Sequence, residues 1–491
     1  MIMSVQAQQA PVKKNAVLMH YVNVVITLLF MFCFKFIPAP APITPYGMAI
    51  LGVFIGVIWG WSTSSVGMVW TSLLAVVAVG FTDYGAVTQS IAAIFASDTV
   101  MLLLMGMFLM GPIQKADLGE WLVMKFMTAK MLKGRPWRFT AMIIFCTGIM
   151  GFLSNGFVVS LFMLSILSKL FEQAGYTKGD RYPIMLIIGM FISLMSFSTI
   201  FPFRGWALYC ISAFRGAVGA GLDYGKFIIV AAIFYLVCSF GYIALMALMR
   251  CDVSKMKQLD LSEYEKKYEQ GLNLYQKTVL ALTMVWVFGC MLVSFFSGNA
   301  GFGLVLKTLG ACGVTLLVVI TFFVVKIEHR PIITSSECNQ YFMWDMIFVV
   351  ATGMFCASLL TGQDTGISLF VSQYLGPILS GRSEFVFLLL MGIIALILTN
   401  FLNNIAIMFI FMAVLGTMFS QGMISNVYTA GMVVTLSTII GFYTPAASAY
   451  GAMIHGSEWC PSGKVYQYGL FVFVYLFIVL AILIPIANLV F

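Results

Sequence analysis

Two apolar runs of the sequence are interrupted by small polar residues whose chemistry suits ion binding. In FLSNGFVVSLFML (152–164) and LTNFLNNIAIMFIFM (398–412), the interruptions contain Ser154, Asn155 and Gly156, and Thr399, Asn400, Asn403, Asn404 and Ile405. An unsatisfied amide in hydrocarbon is costly, so such residues persist in a membrane segment only where protein, water or an ion satisfies them. Their oxygens suit a hard cation such as Na⁺, whereas the N–H groups that begin a half-helix suit an anion. A lone polar residue can instead hydrogen-bond to a neighbouring helix and act only as glue.

The composition places these runs in a membrane protein. Of the 491 residues, 61% are hydrophobic and 9% are charged, with a mean hydropathy of +1.01, whereas about a quarter of a soluble domain is charged. Several apolar stretches are long enough to cross a bilayer, namely 16–37, 47–61, 66–81, 227–249 and 470–489. The sequence therefore predicts an all-α polytopic membrane protein whose first span is a retained anchor rather than a cleaved signal.

Other function classes have little support in the sequence. The net charge of +8 comes from bases in loops between spans, which argues against a nucleic-acid partner. The ten cysteines form no CxxC pair, and the histidines His20, His329 and His455 lack a second plausible ligand. His20 and His455 also lack acidic partners, so we predict no enzyme activity and no cofactor other than Na⁺ as a coupling ion.

The chain contains an internal repeat. SDTVMLLLMGMFLMGPIQKADLG (97–119) aligns at a constant offset with WDMIFVVATGMFCASLLTGQDTG (344–366), which pairs Asp98 with Asp345. The two polar-tipped runs follow at nearly the same offset, and 198–207 has a looser partner in 441–450. Each half therefore consists of a span, an amphipathic segment, a hairpin with a polar tip and a span broken at proline.

The charges predict that the two halves have opposite orientations. Segment 115–138 carries six bases, whereas its counterpart 363–384 has Arg382 alone. By the positive-inside rule the first faces the cytoplasm and the second faces out. About eleven transmembrane helices and two re-entrant hairpins fit this pattern, with the N-terminus in the cytoplasm and the C-terminus outside the plasma membrane. Inverted repeats of this kind, with ion sites at the midplane, are typical of secondary transporters.

This organisation gives provisional boundaries. They are a cytoplasmic tail at 1–15, scaffold helices at 16–90, repeat 1 at 91–249 with its hairpin at 139–170, a cytoplasmic loop at 250–277, connecting scaffold helices at 278–340, and repeat 2 at 341–491 with its hairpin at 383–420. From the tip residues we predict Na⁺ ligands at Asn155, Thr399, Asn400 and Asn404, and the family resemblance described next implies Ser154 as a further Na⁺ ligand.

The two tips resemble the Ser-Asn-Thr hairpin signatures of the divalent anion/sodium symporter family, within the ion transporter superfamily. MWDMIFVVATGMFCASLL (343–360) is similar to that family's span before the second hairpin, and the order of elements matches from about residue 45 to the end. The resemblance implies a homodimer in the lipid bilayer with elevator-type movement, and symport of Na⁺ with a di- or tricarboxylate or sulfate-like anion. It implies substrate contacts for Ser154, Asn155, Asn403 and Asn404, with further contacts from Gly156, Ile405, Thr444 and Pro445.

The sequence departs from that signature at the tips. Gly156 and Ile405 stand where the family has threonine, so two hydroxyl donors are missing. Arg204, in FPFRGW (201–206), could compensate if the span unwinds at 196–203, because it would then open a half-helix near the tips and bind a carboxylate. The alternative is an arginine that snorkels to the outer interface.

A Na⁺-coupled symporter of a small anion is the function that these patterns favour. A cation/proton antiporter of the same superfamily needs a titrating carboxylate within a span. Apart from Asp98 and Asp345, which lie at span ends, the sequence has no acid well inside a span, which argues against this function. An anion exchanger of that superfamily is an alternative function. A membrane-embedded enzyme is disfavoured, because the sequence lacks a set of catalytic residues.

Overall fold

The computed structural model describes residues 14–63, 67–116, 118–128, 132, 134–153, 156–258, 271–342, 344–379, 383–445 and 447–491. Within these ranges the chain forms 21 α-helices and one two-stranded antiparallel hairpin of β1 Lys326–Ile327 and β2 Arg330–Pro331. Short turns of π- or 3₁₀-helix lie at Leu29–Cys33, Phe34–Phe36, Ser254–Gln258, Asn339–Tyr341 and Gln363–Thr365.

The α-helices are numbered here in chain order. They are α1 Lys14–Leu28, α2 Pro45–Ser62, α3 Met68–Gly80, α4 Val87–Phe95, α5 Asp98–Ala116, α6 Leu118–Met127, α7 Pro136–Leu153, α8 Gly156–Gln173, α9 Arg181–Phe197, α10 Gly205–Val218, α11 Tyr224–Leu248, α12 Leu274–Phe296, α13 Gly301–Val324, α14 Ser335–Cys338, α15 Trp344–Leu360, α16 Ile367–Leu379, α17 Glu384–Thr399, α18 Asn404–Ser420, α19 Val427–Thr438, α20 Ala449–Gly456 and α21 Ser462–Val490.

The helices confirm the predicted all-α polytopic membrane fold. Within the described residues, seven helices are long and apolar enough to cross a bilayer, or up to nine if each bent pair counts as one span. The predicted eleven spans also require α3 and the two broken pairs α9–α10 and α19–α20, with α7 assigned to the first hairpin. Each predicted span thus has a helical counterpart, and the full count in the membrane stays a prediction.

Two helix pairs coincide with the predicted hairpins. Helices α7 and α8 occupy Pro136–Leu153 and Gly156–Gln173, and α17 and α18 occupy Glu384–Thr399 and Asn404–Ser420. The α-carbon of Gly156 lies close enough to Gly151 that a Cβ on Gly151 would be 3.6 Å from it. The first pair therefore folds back on itself directly at its polar tip.

Two further helix pairs, α9–α10 and α19–α20, occupy the predicted broken spans, and the sequence explains the break between α9 and α10. Between α9 and α10, Pro202 lacks an N–H donor and Gly205 takes a φ of 56°, which favours glycine. Ser196, Ser198 and Thr199 donate to carbonyls in the last turns of α9 at 2.6–2.7 Å. The Thr199 N–H bonds to the Ser196 carbonyl instead of the Met195 carbonyl, and the Ser198 hydroxyl donates to Met195 in its place. The chain can therefore leave the helix without leaving the Met195 carbonyl unpaired.

Contacts between distant loops define two opposite ends of the molecule. At one end, Lys178 Nζ lies 2.6 Å from Glu458 Oε2, just before α21. At the other, Asn488 near the end of α21 accepts a hydrogen bond from Asn426 at 3.2 Å, beside Ser425. Since the 29-residue helix α21 separates these contacts, the loops that follow the first and second hairpins lie at opposite ends, as an inverted repeat requires.

The end that contains Lys178 also gathers basic side chains. Lys255 Nζ lies 3.8 Å from Asp180 Oδ2, and Arg181 donates to the Met249 carbonyl. At the opposite end, Lys226 Nζ lies 3.4 Å from the carbonyl oxygen of Phe491, directly after α21. The larger number of bases at the Lys178 end fits the positive-inside rule if that end is cytoplasmic, and that orientation stays a prediction.

Candidate functional site

Arg204 lies at the break between α9 and α10. It occupies the N-cap position of α10 in an extended conformation, with φ −150° and ψ 148°. The chain leaves the helix after Phe197 and becomes helical again at Gly205. The span is therefore unwound before Arg204, as it must be if Arg204 is to lie near the tips. A second half-helix begins directly after this guanidinium-bearing residue.

The Arg204 guanidinium turns into the protein toward the first hairpin. Its Nη1 donates to the carbonyl of Phe152, near the end of α7, and its Nη2 lies 3.3 Å from Met110 Sδ. The guanidinium carbon sits 4.8 Å from the centre of the Phe152 ring, within the range of a cation–π interaction. The structure therefore places Arg204 against the first tip rather than in the snorkelling arrangement at an outer interface.

A cavity of about 90 Å³ adjoins Arg204 at this tip. Gly156, where α8 begins, and Tyr450, in the first turn of α20, share its wall with Arg204. The wall of this cavity therefore contains residues of both repeats. The N-termini of α8 and α10, where the helix dipoles are positive, also lie at this wall. Such a combination can bind a small anion.

A larger cavity of about 420 Å³ lies at the other end of α10, beside Arg215, Ser97 and Ser358. Eleven residues of helix separate Arg215 from Arg204, which is about 16 Å at 1.5 Å per residue. None of the predicted site residues lines this cavity among the described residues. The smaller cavity is therefore the one that coincides with the site predicted from the sequence.

At the second tip, Asn400 is fully buried and fully hydrogen-bonded. Its Nδ2 donates to the carbonyls of Leu396 and Ile440 at 2.8 Å, and its Oδ1 accepts from the backbone N–H groups of Phe442 and Tyr443 at 2.9 Å. One side chain thereby joins the end of α17 to three backbone groups of the unwound segment between α19 and α20. This amide holds the unwound segment against the hairpin.

Two hydroxyls extend this connection. Thr399 Oγ1 donates to the Thr438 carbonyl at 2.9 Å, and Thr444 Oγ1 donates to the Asn400 carbonyl at 2.7 Å. The C-terminal ends of α17 and α19 therefore lie side by side. Because both helix dipoles are negative at these ends, the place favours a cation. Pro445 follows in the unwound segment and is exposed.

Asn403 and Asn404 differ in role although they are neighbours. Asn403 caps α18, since its Oδ1 accepts from the N–H groups of Ile405 and Ala406 at 2.9 and 3.4 Å. The side chain of Asn404 has no hydrogen-bond partner among the described residues. The Ile405 side chain is buried, and its backbone N–H is one of the two groups that the Asn403 cap accepts from.

The two half-helices α10 and α18 lie side by side and parallel. Gly416 packs so closely on Ala217 that a Cβ on Gly416 would be 2.3 Å from the Ala217 carbonyl, near the C-terminal end of each helix. Trp206 Nε1, in the first turn of α10, donates to the Thr435 carbonyl of α19 at 3.3 Å. The breaks of the two repeats are therefore adjacent, with both half-helix N-termini at the same level.

Ser154 and Asn155 lie outside the described residues, and their predicted roles as Na⁺ and substrate ligands stay predictions. The same holds for the ligand roles of Gly156, Thr399, Asn400, Asn403, Asn404, Ile405, Arg204, Thr444 and Pro445. The structure groups these residues into two clusters. Gly156 and Arg204 share the cavity at the first tip, and Thr399, Asn400 and Thr444 are hydrogen-bonded together at the second.

Comparison with known protein families decides the assignment. The profile of the citrate transporter family, CitMHS, matches residues 54–437, which is most of the chain. The chain belongs to the citrate transporter family. This family is part of the ion transporter superfamily, in agreement with the resemblance to divalent anion/sodium symporters. Compared with individual characterised proteins, the sequence has no significant match.

The family establishes the general function of this transporter. It is a multi-pass membrane protein that acts as a secondary transporter of a small anion. Membership of a transporter family also fits the prediction that the chain is not an enzyme. The sequence reasoning missed Tyr450 and Phe152, which contact Gly156 and Arg204 respectively. An aromatic hydroxyl in the first turn of the last half-helix was the signal available for Tyr450.

Proposed function

We propose that this transporter carries citrate, or a similar di- or tricarboxylate, together with Na⁺ across the plasma membrane. The observation that carries the proposal is the position of Arg204. This residue is the N-cap of α10, and its guanidinium faces the cavity at the first hairpin tip. A guanidinium has five N–H donors in a planar fork, which matches a carboxylate. The citrate transporter family supplies the substrate class.

The anion is assigned to the first tip rather than the second. At the first tip, the N-termini of α8 and α10 and the Arg204 charge act together. At the second tip, the Oδ1 of Asn403 already accepts from the first N–H groups of α18. An anion there would have to displace this cap, so the second N-terminus is the weaker anion site.

Na⁺ is assigned to the second tip. The paired C-terminal ends of α17 and α19 concentrate carbonyl oxygens, and no Asp or Glu is among the described residues that bond there. In this proposal Thr399 and Asn404 supply oxygen ligands, while the Asn400 side chain maintains the geometry of the backbone oxygens. Na⁺ accepts such neutral oxygen ligands, since it is a hard cation.

The connections between the repeats support transport by the elevator mechanism. Asn400 ties the second hairpin to the break after α19, and Trp206 ties α10 to α19. The hairpins and broken spans would therefore move as one unit against the scaffold helices of a homodimer, as the family resemblance implies. An anion exchanger is the alternative, because the Arg204 site by itself does not require a coupling ion.

Transport assays in proteoliposomes separate these functions. We expect an inward Na⁺ gradient to drive accumulation of labelled citrate, with K⁺ in place of Na⁺ as the control and with succinate and sulfate as competing anions. Uptake that follows a pH gradient and ignores Na⁺ would replace Na⁺ by H⁺ coupling. Uptake that requires only a trapped anion would identify an exchanger.

Labelling of single cysteines tests the inverted orientation. Lys178 and Ser425 follow the first and second hairpins and lie at opposite ends of the molecule. In a background without the exposed Cys33, we expect Cys at 425 to react with an impermeant maleimide in intact cells, and Cys at 178 to react only after permeabilisation. If both positions react in intact cells, the two hairpins do not open to opposite sides.

A further inference from the structure

Gly156 and Tyr450 meet at the wall of the Arg204 cavity. A Cβ placed on Gly156 would lie 2.5 Å from the Tyr450 hydroxyl oxygen, closer than real contacts allow, but 3.6 Å from Tyr450 Cζ and 3.5 Å from Leu194 Cδ2, which are ordinary contacts. The hydroxyl alone therefore excludes a side chain at position 156. The backbone does not exclude one, since the φ of Gly156 is outside the left-handed region.

The Tyr450 ring is held in this position by its surroundings. It stacks on Phe157 with ring centres 5.0 Å apart and planes at 19°, and it contacts Phe191 at 5.7 Å. Ser448 fixes the start of α20, since its Oγ donates to the Gly441 carbonyl at 2.6 Å and accepts from the Gly451 N–H at 3.0 Å. A ring clamped in this way points its hydroxyl at Gly156 with little freedom to move.

The Tyr450 hydroxyl makes no hydrogen bond to any described residue. It lines the same cavity as Arg204, beside the first residue of α8. A phenol hydroxyl enclosed by apolar rings normally finds a partner, because an unsatisfied polar group is costly. The free donor and the guanidinium therefore face one space from two different repeats.

We propose that the Tyr450 hydroxyl is a substrate-binding group that donates a hydrogen bond to the carboxylate held by Arg204. This inference rests on the proposed function and adds a residue to its binding site. In this arrangement repeat 2 supplies the hydroxyl that Gly156 cannot supply, and Gly156 is required because the phenol occupies the space of its side chain. Tyr450 and position 156 are then alternative sources of one donor.

The exchange of the two donors gives a direct test. Equilibrium binding of radiolabelled citrate to the purified full-length protein in detergent is the readout, with the melting temperature as a check on folding. We expect Tyr450→Phe to bind citrate about ten- to a hundredfold more weakly, as for the loss of one hydrogen bond to a charged group. Gly156→Ala should weaken binding at least as much, because its Cβ displaces the phenol.

The double variants distinguish binding from packing. In the Tyr450→Phe background, Gly156→Ala should change nothing further, because the Cβ then meets only ordinary contacts. In the same background, Gly156→Ser should restore citrate affinity to within about twofold of wild type, because its hydroxyl returns the donor. The control is Tyr235→Phe, which removes a structural hydrogen bond to the Phe145 carbonyl and should lower the melting temperature without changing citrate affinity.

The outcomes are separable. Wild-type affinity in Tyr450→Phe, or equal affinity of the Ala and Ser double variants, would make Tyr450 a packing residue and overturn the inference, while wild-type citrate binding would leave the proposed function in place. Failure of the wild-type protein itself to bind citrate would overturn the proposed substrate class, and the role of Tyr450 with it.

Discussion

The Arg204→Gln variant is expected to bind citrate about ten- to a hundredfold more weakly than the wild-type protein. A charge-assisted hydrogen bond contributes about 1.5–3 kcal/mol, and each tenfold change in affinity corresponds to about 1.4 kcal/mol. Glutamine keeps a donor but loses the charge and the planar fork. The measurement is the citrate dissociation constant in detergent, together with the KM of Na⁺-driven uptake.

Two further variants show whether the loss of citrate affinity comes from the Arg204 guanidinium itself. Arg204→Lys should recover only part of the affinity, because an ammonium is a point charge that cannot form two parallel hydrogen bonds. Arg181→Gln is the matched control, since Arg181 also donates to a carbonyl, that of Met249, and lies over an aromatic ring, that of Tyr468 at 5.7 Å. Arg181 stands at the opposite end of α9 from the break, so its loss should leave citrate affinity unchanged.

Wild-type affinity in Arg204→Gln would mean that Arg204 stabilises the first tip, where it donates to the Phe152 carbonyl, and does not bind the substrate. The anion would then depend on the half-helix N-termini and on Ser154, Asn155, Asn403 and Asn404. A lower melting temperature with unchanged affinity would support the same conclusion, because the guanidinium would then serve the tip and not the substrate.

The fold was predictable from the sequence because its strongest signals are local. Apolar length predicts the spans, and Pro202 with Gly205 predicts the break before α10. The repeat places both hairpins at matching positions, and helices α7–α8 and α17–α18 occupy those segments. Each of these inferences needs only residues near one another in the chain or a comparison of its two halves.

The site was less predictable because its contacts join distant residues. The sequence allows Arg204 to face either the tips or the interface, and only its bond to Phe152 decides its direction. The missing hydroxyl at Gly156 is visible in the sequence, but the phenol of Tyr450 that fills its space is not. The sequence likewise shows that an asparagine lies in a membrane segment, but it does not show which groups hydrogen-bond to the asparagine side chain. Asn400 and Asn404 were therefore assigned the same role.

Substitution of Asn400 by alanine is expected to destabilise the protein and to abolish citrate uptake. The change leaves two N–H groups, of Phe442 and Tyr443, and two carbonyls, of Leu396 and Ile440, without their partner in a buried place. Each unsatisfied group costs about 1–3 kcal/mol, against a total stability of about 5–15 kcal/mol for a typical domain. Thermal unfolding in detergent and reconstituted uptake are the measurements.

Asn404→Ala is the matched comparison, and its expected result is different. Because the Asn404 side chain bonds to no described residue, its removal should leave the melting temperature within about 2 °C of wild type, as for a surface substitution of less than 0.5 kcal/mol. If its amide oxygen is a Na⁺ ligand, the Na⁺ concentration for half-maximal uptake should rise by about tenfold or more, with citrate affinity at saturating Na⁺ nearly unchanged. Asn155→Ala should also weaken Na⁺-dependent uptake, because the repeat pairs Asn155 with Asn404.

The contrast between Asn400 and Asn404 separates the frame of the second tip from its ligands. A frame residue lowers stability and transport together, whereas a ligand residue changes the dependence on one ion in a folded protein. Unchanged Na⁺ dependence in both Asn155→Ala and Asn404→Ala would leave these residues as glue between helices. Coupling would then have to come from the backbone carbonyls at the ends of α17 and α19 alone, which the Asn400 side chain holds in place.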